Sequence, residues 1–151
     1  MRLLASTDLG VKILLYMAAC SKERVTIAEM NQYFQVKPSA YKAPLKSLID
    51  GEIISSTTGR GGGYALKRDP TKLMLGEVVA VLEGDLRLIP WLETEENGAL
   101  LYPNSVYRFA IEHGKTALLK QLDHFAIAEI AADPYTQTAL NITHLTKKGR
   151  S

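Results

Sequence analysis

Thr58-Gly59-Arg60-Gly61-Gly62-Gly63-Tyr64 places four glycines around one arginine, with Ile53-Ile54 before them and Ala65-Leu66 after. Glycine concentrates where the backbone takes positive φ or approaches a partner closely. Between two β-prone runs, this spells a hairpin whose tip carries a single cation. Such a tip fits a nucleic-acid groove. A phosphate loop is a poorer reading: the Gly-Lys-Ser/Thr ending is missing, and strand residues follow in place of a helix.

The residues before the hairpin say what it is attached to. Ser6-Thr7-Asp8 precedes Leu9, Ile13, Tyr16, Met17 and Cys20 at helical spacing, so Thr7 or Ser6 is expected to cap a first helix. Thr26-Ile27-Ala28-Glu29 forms a capping box for a short helix ending near Gln35. A few residues later comes a helix with Pro38 and Ser39 at its start and Gly51 as its left-handed C-terminal cap. Its buried stripe is Tyr41, Leu45, Leu48 and Ile49; Ser39, Lys42, Ala43 and Lys46 fall on the outer face. A short capped helix, a tight turn and a second helix with a basic outer face make a helix-turn-helix. Pro44 demands either a late helix start or a kink. Strands are expected over 52–56 and 64–67, so the hairpin is the wing of a winged helix-turn-helix.

Beyond Asp69-Pro70, the run Leu73, Leu75, Val78, Val79, Leu82 predicts a short helix ending at Gly84. Residues 85–104 read as an irregular loop carrying Trp91. From Ser105, Val106, Phe109, Ala110, His113, Ala117, Leu118, Leu122 and Phe125 predict one long helix over 105–133. It has too little chain around it to be covered alone, so a dimer is expected. Residues 134–151 read as a loose polar tail. The fold class is therefore mainly α with a small β-hairpin wing: a winged helix-turn-helix domain over 1–84, a loop over 85–104, and a long C-terminal dimerisation helix.

Composition agrees. The chain has 151 residues, 46% hydrophobic and 23% charged, with a net charge of only +2. The distribution of charge is more telling. From Lys37 to Lys72, the cations Lys37, Lys42, Lys46, Arg60, Lys67, Arg68 and Lys72 face only Asp50, Glu52 and Asp69, whereas the segment from Leu73 to Tyr135 is acidic. That segregation suits a module binding a polyanion with one face. The single Cys20 excludes an intrachain disulfide and is read as a small core residue. With neither a signal peptide nor a membrane-length apolar run, the chain is expected to be cytoplasmic. No histidine has a nucleophile or carboxylate pattern beside it in the local sequence, so an enzyme is not expected.

The order of helix, helix-turn-helix, Arg60-Gly61-Gly62-Gly63-Tyr64 wing, Leu75-Gly76-Glu77-Val78-Val79 helix and long helix resembles the Rrf2 family of bacterial repressors, across Met1 to Asp133. Thr7-Asp8-Leu9-Gly10 with Leu15-Tyr16-Met17-Ala18 looks most like its nitric-oxide-sensing, NsrR-like branch. The resemblance implies a homodimer on a pseudo-palindromic operator in double-stranded DNA. It places Ser39, Lys42 and Ala43 toward bases in the major groove and Arg60, with Gly61, in the minor groove. Lys42 could read guanine or hold a phosphate, Arg60 suits a narrow A/T-rich groove, and Lys46 and Lys37 suit phosphates. Ser55, Ser56, Thr57 and Thr58 are read as phosphate contacts or as β-formers.

Family sensors hold an iron–sulfur cluster with three cysteines in the loop before the long helix; here that loop has none. Asp8 matches the acidic cluster ligand of the nitric-oxide branch, but one oxygen ligand without thiolates cannot hold such a cluster. A clusterless member is expected, with no cofactor. The signal then falls to a small organic effector at Trp91, Tyr102 and Tyr107, with Asp8, or to a partner protein. A haem or metal ion at His113 and His124 is a lesser alternative: eleven residues apart on one helix face, they lie about 16 Å apart and need a dimer to meet. A winged-helix protein-interaction module is the rival to DNA binding.

Overall fold

The structure, a computed structural model, describes residues 3–20, 22–84 and 105–143. Helix α1 (Ala5–Ala19) runs through the centre and buries Leu9, Ile13, Leu14, Leu15, Tyr16 and Met17. Neither Ser6 nor Thr7 caps it. Its N-cap is Leu4, and the acceptor is remote. Glu83 Oε1 takes the Leu4 N–H at 2.9 Å and the hydroxyl of wholly buried Thr7 at 2.5 Å. A carboxylate at a helix N-terminus satisfies free amides and opposes the positive end of the dipole.

Helix α2 (Ile27–Phe34) begins with the expected capping box, Thr26 N–H donating to Glu29 Oε2 at 2.7 Å and Glu29 N–H to Thr26 Oγ1 at 3.2 Å. It ends at Gln35, which turns left-handed at φ 50°. Pro38–Tyr41 is a 3₁₀ turn, and helix α3 spans Lys42–Asp50. Pro44 is thus the third residue of α3, where it forfeits no helical hydrogen bond. Gly51 is not the left-handed cap; its φ is −79° and Glu52 takes that conformation at φ 56°. The bonds from Glu52 N–H to Ile49 O and from Ile53 N–H to Leu48 O, both 2.9 Å, form a Schellman end one residue late. Gly51 is needed for space instead: a Cβ there would stand 2.6 Å from Val81 Cγ1.

Because 52–53 serve the helix end, the first strand starts later than expected: β1 is Ile54–Thr57, antiparallel to β2 (Gly63–Leu66), with Ile54 opposite Leu66 and Thr57 opposite Gly63. Val25 adds a bridge to Tyr64, exchanging backbone bonds of 2.9 and 2.8 Å. Helix α4 (Leu75–Glu83) buries Val78, Val79 and Leu82.

The C-terminal part differs most from expectation. Helix α5 (Val106–Leu122) starts at the Ser105 cap but stops at Leu122, not at Asp133. The chain there is stapled to the start of α4: Leu75 N–H donates to Phe125 O and Ile127 N–H to Leu73 O, both at 2.9 Å, and Asp123 Oδ1 accepts from Glu77 N–H at 3.0 Å. Helix α6 (Ile127–Ala132) then returns against α1, and helix α7 (Pro134–Ala139) follows. Residues 134–143 are therefore not a loose tail. Asp133 caps α7 by accepting from Thr136 N–H at 2.8 Å, and Ile142 is wholly buried in the core. Among the described residues no helix is long and apolar enough to cross a membrane.

Candidate nucleic-acid interface

The inner face of the second helix-turn-helix element is fixed by Tyr41, Leu45 and Leu48, all buried. Asn31 Oδ1 sets the turn, accepting from Val36 N–H at 2.9 Å and from the Tyr41 hydroxyl at 3.1 Å. This anchoring leaves Lys37, Ser39, Lys42, Ala43 and Lys46 exposed in sequence along the turn and α3. The wing leaves directly from the end of α3, with Arg60 and Gly61 exposed at its tip.

The glycines of the tip have separate reasons to be there. Gly59 and Gly61 sit at φ 88° and 76° with open space around them, so the backbone angle excludes a side chain. Gly63, at φ 150°, also lets Val25 approach: a Cβ would stand 2.7 Å from Val25 O. The base of the wing is held by Lys67 to Glu52 at 2.8 Å and by a two-pronged Arg68–Glu77 pair, whose longer arm is 3.1 Å.

Ion pairing sorts the cations. Lys12, Lys22, Lys46, Lys67 and Arg68 each have a carboxylate partner. Among the described residues, Lys37, Lys42 and Arg60, all expected to face DNA, form no ion pair, and neither do Lys72, Arg108, Lys115 and Lys120 elsewhere. Lys46 is neutralised by Asp50 one turn on. Replacing Asp50 with asparagine should strengthen binding to random-sequence duplex DNA by about threefold at low salt, and the gain should vanish as salt is raised; fluorescence anisotropy measures it.

Arg24, on which the sequence raised no expectation, also stands beside the wing. Its Nη1 donates to Thr57 Oγ1 at 2.6 Å, 33 residues away, and it too forms no ion pair among the described residues. A neutral hydroxyl partner leaves its charge uncompensated beside the wing. Nothing local to Arg24 signals this; it depends on the Val25–Tyr64 bridge.

Of the expected signal residues, Asp8 and Tyr107 are among the described ones. Trp91 and Tyr102 lie outside the described residues. Asp8 is exposed and pairs with Lys12 at 2.6 Å, and Tyr107 is half-exposed at the start of α5. His113 and His124 do not share a helix face, because His124 lies past the last residue of α5. Its Nδ1 is 3.1 Å from Gln121 O, while the His113 ring lies against Phe109 with centroids 3.9 Å apart. Among the described residues no three His, Cys, Asp or Glu side chains converge. Cys20 is the C-cap of α1, half-buried beside Tyr16, whose hydroxyl is pushed far above its ordinary pKa by burial.

Helix α5 presents two faces. Leu118, Leu119 and Leu122 are partly covered, and a Cβ on Gly76 of α4 would stand 2.2 Å from Leu119 O. Val106, Phe109, Ala110, His113 and Ala117 form an exposed stripe, with Val106 at 84% and Phe109 at 61% exposure.

Known proteins share this arrangement. The Rrf2 family, described as an iron-dependent transcriptional regulator, matches residues 3–133. The HTH-type transcriptional regulator NsrR of Geobacillus kaustophilus is 27% identical over 134 residues, 88% of this chain and 91% of that protein. Solved structures share the fold, two of them as follows. A transcriptional regulator from Listeria innocua superimposes at TM-score 0.66 with 21% identity, over 89% of this chain and 88% of its own. The cysteine regulator CymR of Bacillus subtilis does so at TM-score 0.65 with 20% identity, over 87% and 97%. The donor set does not fit the thiolate-held iron–sulfur cluster of family sensors, since Cys20 is the sole cysteine and stands at the end of α1. With its helix-turn-helix, glycine wing and Leu75–Glu83 helix in family order, the chain belongs to the Rrf2 family of DNA-binding transcriptional regulators.

Proposed function

We propose that the protein is a homodimeric repressor of a pseudo-palindromic operator, controlled by a signal other than an iron–sulfur cluster. The observation that carries the DNA-binding mode is the set of exposed cations on the turn, α3 and the wing that have no ion pair among the described residues. Lys42, Ser39 and Ala43 face bases in the major groove, and Arg60 enters the minor groove on a backbone made narrow by Gly61. Lys37 and Arg24 hold phosphates. Lys46 joins them when DNA displaces Asp50. Each protomer supplies one half-site, and the exposed stripe of α5 packs against its copy.

DNA selected from a random pool by the purified protein provides the test. Arg60→Ala is expected to weaken binding to the selected duplex by about tenfold, with the loss concentrated at A/T-rich minor-groove positions. Unchanged affinity would remove the wing from the interface. The cluster is tested separately: anaerobically purified protein should carry no stoichiometric iron and sulfide, and a stoichiometric cluster with its visible absorption would contradict the proposal.

A further inference from the structure

A groove of about 500 Å³ lies between the first turns of α1, the end of α2, the helix-turn-helix turn and the end of α7. Leu9, Phe34, Val36 and Leu140 supply its apolar wall. At its rim stand Asp8 and Lys12, joined at 2.6 Å and both open to solvent. The volume lies in the range of small-molecule sites.

We infer that this groove binds a small zwitterion with an apolar body, an amino acid or dipeptide with aliphatic or aromatic side chains. Charge complementarity selects that class. The rim carries one carboxylate and one ammonium in mutual contact, so a ligand with a single charge pairs with only one of them and leaves the other to water. A zwitterion exchanges the internal pair for two external ones, its ammonium on Asp8 and its carboxylate on Lys12, without a change in net charge. Its apolar body then covers Leu9, Phe34 and Val36.

The location gives the ligand a route to DNA. Phe34 and Val36 flank Gln35, the left-handed residue that ends α2, and Val36 N–H is one of the two donors held by Asn31. Phe34 also packs edge-on to Tyr16, with centroids 6.1 Å apart. A body wedged against Phe34 and Val36 shifts the turn that carries Ser39 and Lys42. This inference rests on the regulator reading for its consequence, but not for ligand binding itself.

The test is calorimetric titration of the full-length protein with L-leucine, L-phenylalanine and L-leucyl-L-leucine, with N-acetyl-L-leucine and L-leucinamide as singly charged counterparts. Saturable binding of a zwitterion is expected, about tenfold weaker for the singly charged compounds and for Lys12→Met. Ala139→Phe, which fills the groove from an exposed position, should abolish it, with an unchanged circular-dichroism melt showing that both variants fold. Saturating zwitterion should shift the affinity for selected DNA. The inference is overturned if no zwitterion binds saturably, if N-acetyl-L-leucine binds equally well, if the folded variants bind like wild type, or if occupancy leaves DNA affinity unchanged. Ligand binding by a protein that selects no DNA would instead overturn the regulator reading and leave the site standing.

Discussion

Replacing Phe109 with glutamate is expected to convert a dimer in solution into a monomer and to weaken binding to a two-half-site DNA by about a hundredfold or more. Phe109 is 61% exposed in the protomer and belongs to the bare stripe of Val106, Ala110, His113 and Ala117. Contiguous exposed apolar surface marks an interface. In a two-fold packing of α5 on its copy, position 109 occurs twice, so the substitution places two carboxylates in one desolvated seam. Each burial of an unpaired charge costs several kcal/mol. The protomer should still fold, because the opposite face of α5, with Leu119 and Leu122, holds it to α4. Sedimentation gives the mass and circular dichroism the fold. A folded variant that remains dimeric would show that the stripe is not the seam.

The second large effect concerns stability. Gly76→Val should lower the stability of the protomer by about 3 kcal/mol, and its Tm by roughly 10 °C. A Cβ at position 76 would stand 2.2 Å from Leu119 O and 2.5 Å from Asp123 Oδ1. The first atom is backbone and cannot swing aside. Helix propensity favours removing glycine by no more than about 1 kcal/mol, which is too little to offset that clash. Relief requires α5 to slide away from α4, which also breaks the bond from Glu77 N–H to Asp123. A thermal melt equal to that of wild type would show that the α4–α5 contact is looser than described.

The N-terminal half was largely legible because its signals are local. Gly59 and Gly61 announce positive φ, Thr26 and Glu29 announce a capping box, and Pro44 has one comfortable place near a helix start. The misplaced cap of α1 and the misplaced end of α5 share a cause in long-range bonds. The cap of α1 comes from Glu83, more than seventy residues away, so Ser6 and Thr7 looked like the only acceptors. The stop of α5 at Leu122 is enforced by pairing of 125–127 with 73–75, while Phe125, Ile127 and Ile130 continue the apolar pattern as if the helix went on. Helix α7 did carry a local signal, Asp133 as cap with Pro134 at the first helical position, but its threonines and glutamine suggested a solvated tail. For the interface, residue types pointed to Lys42 and Arg60. Whether a cation is already neutralised is a property of packing, which separates Lys46 from Lys42 and adds Arg24.

The salt dependence of affinity for selected DNA tests the central claim most directly. If half of Arg24, Lys37, Lys42 and Arg60 in each protomer neutralise a phosphate, the logarithm of the association constant should fall against the logarithm of salt with a slope of about −4 or steeper. Arg24→Ala and Lys37→Ala should each make that slope shallower, by about one unit per protomer. A slope near zero, unmoved by either substitution, would contradict the account and turn the winged helix into a surface for something other than DNA.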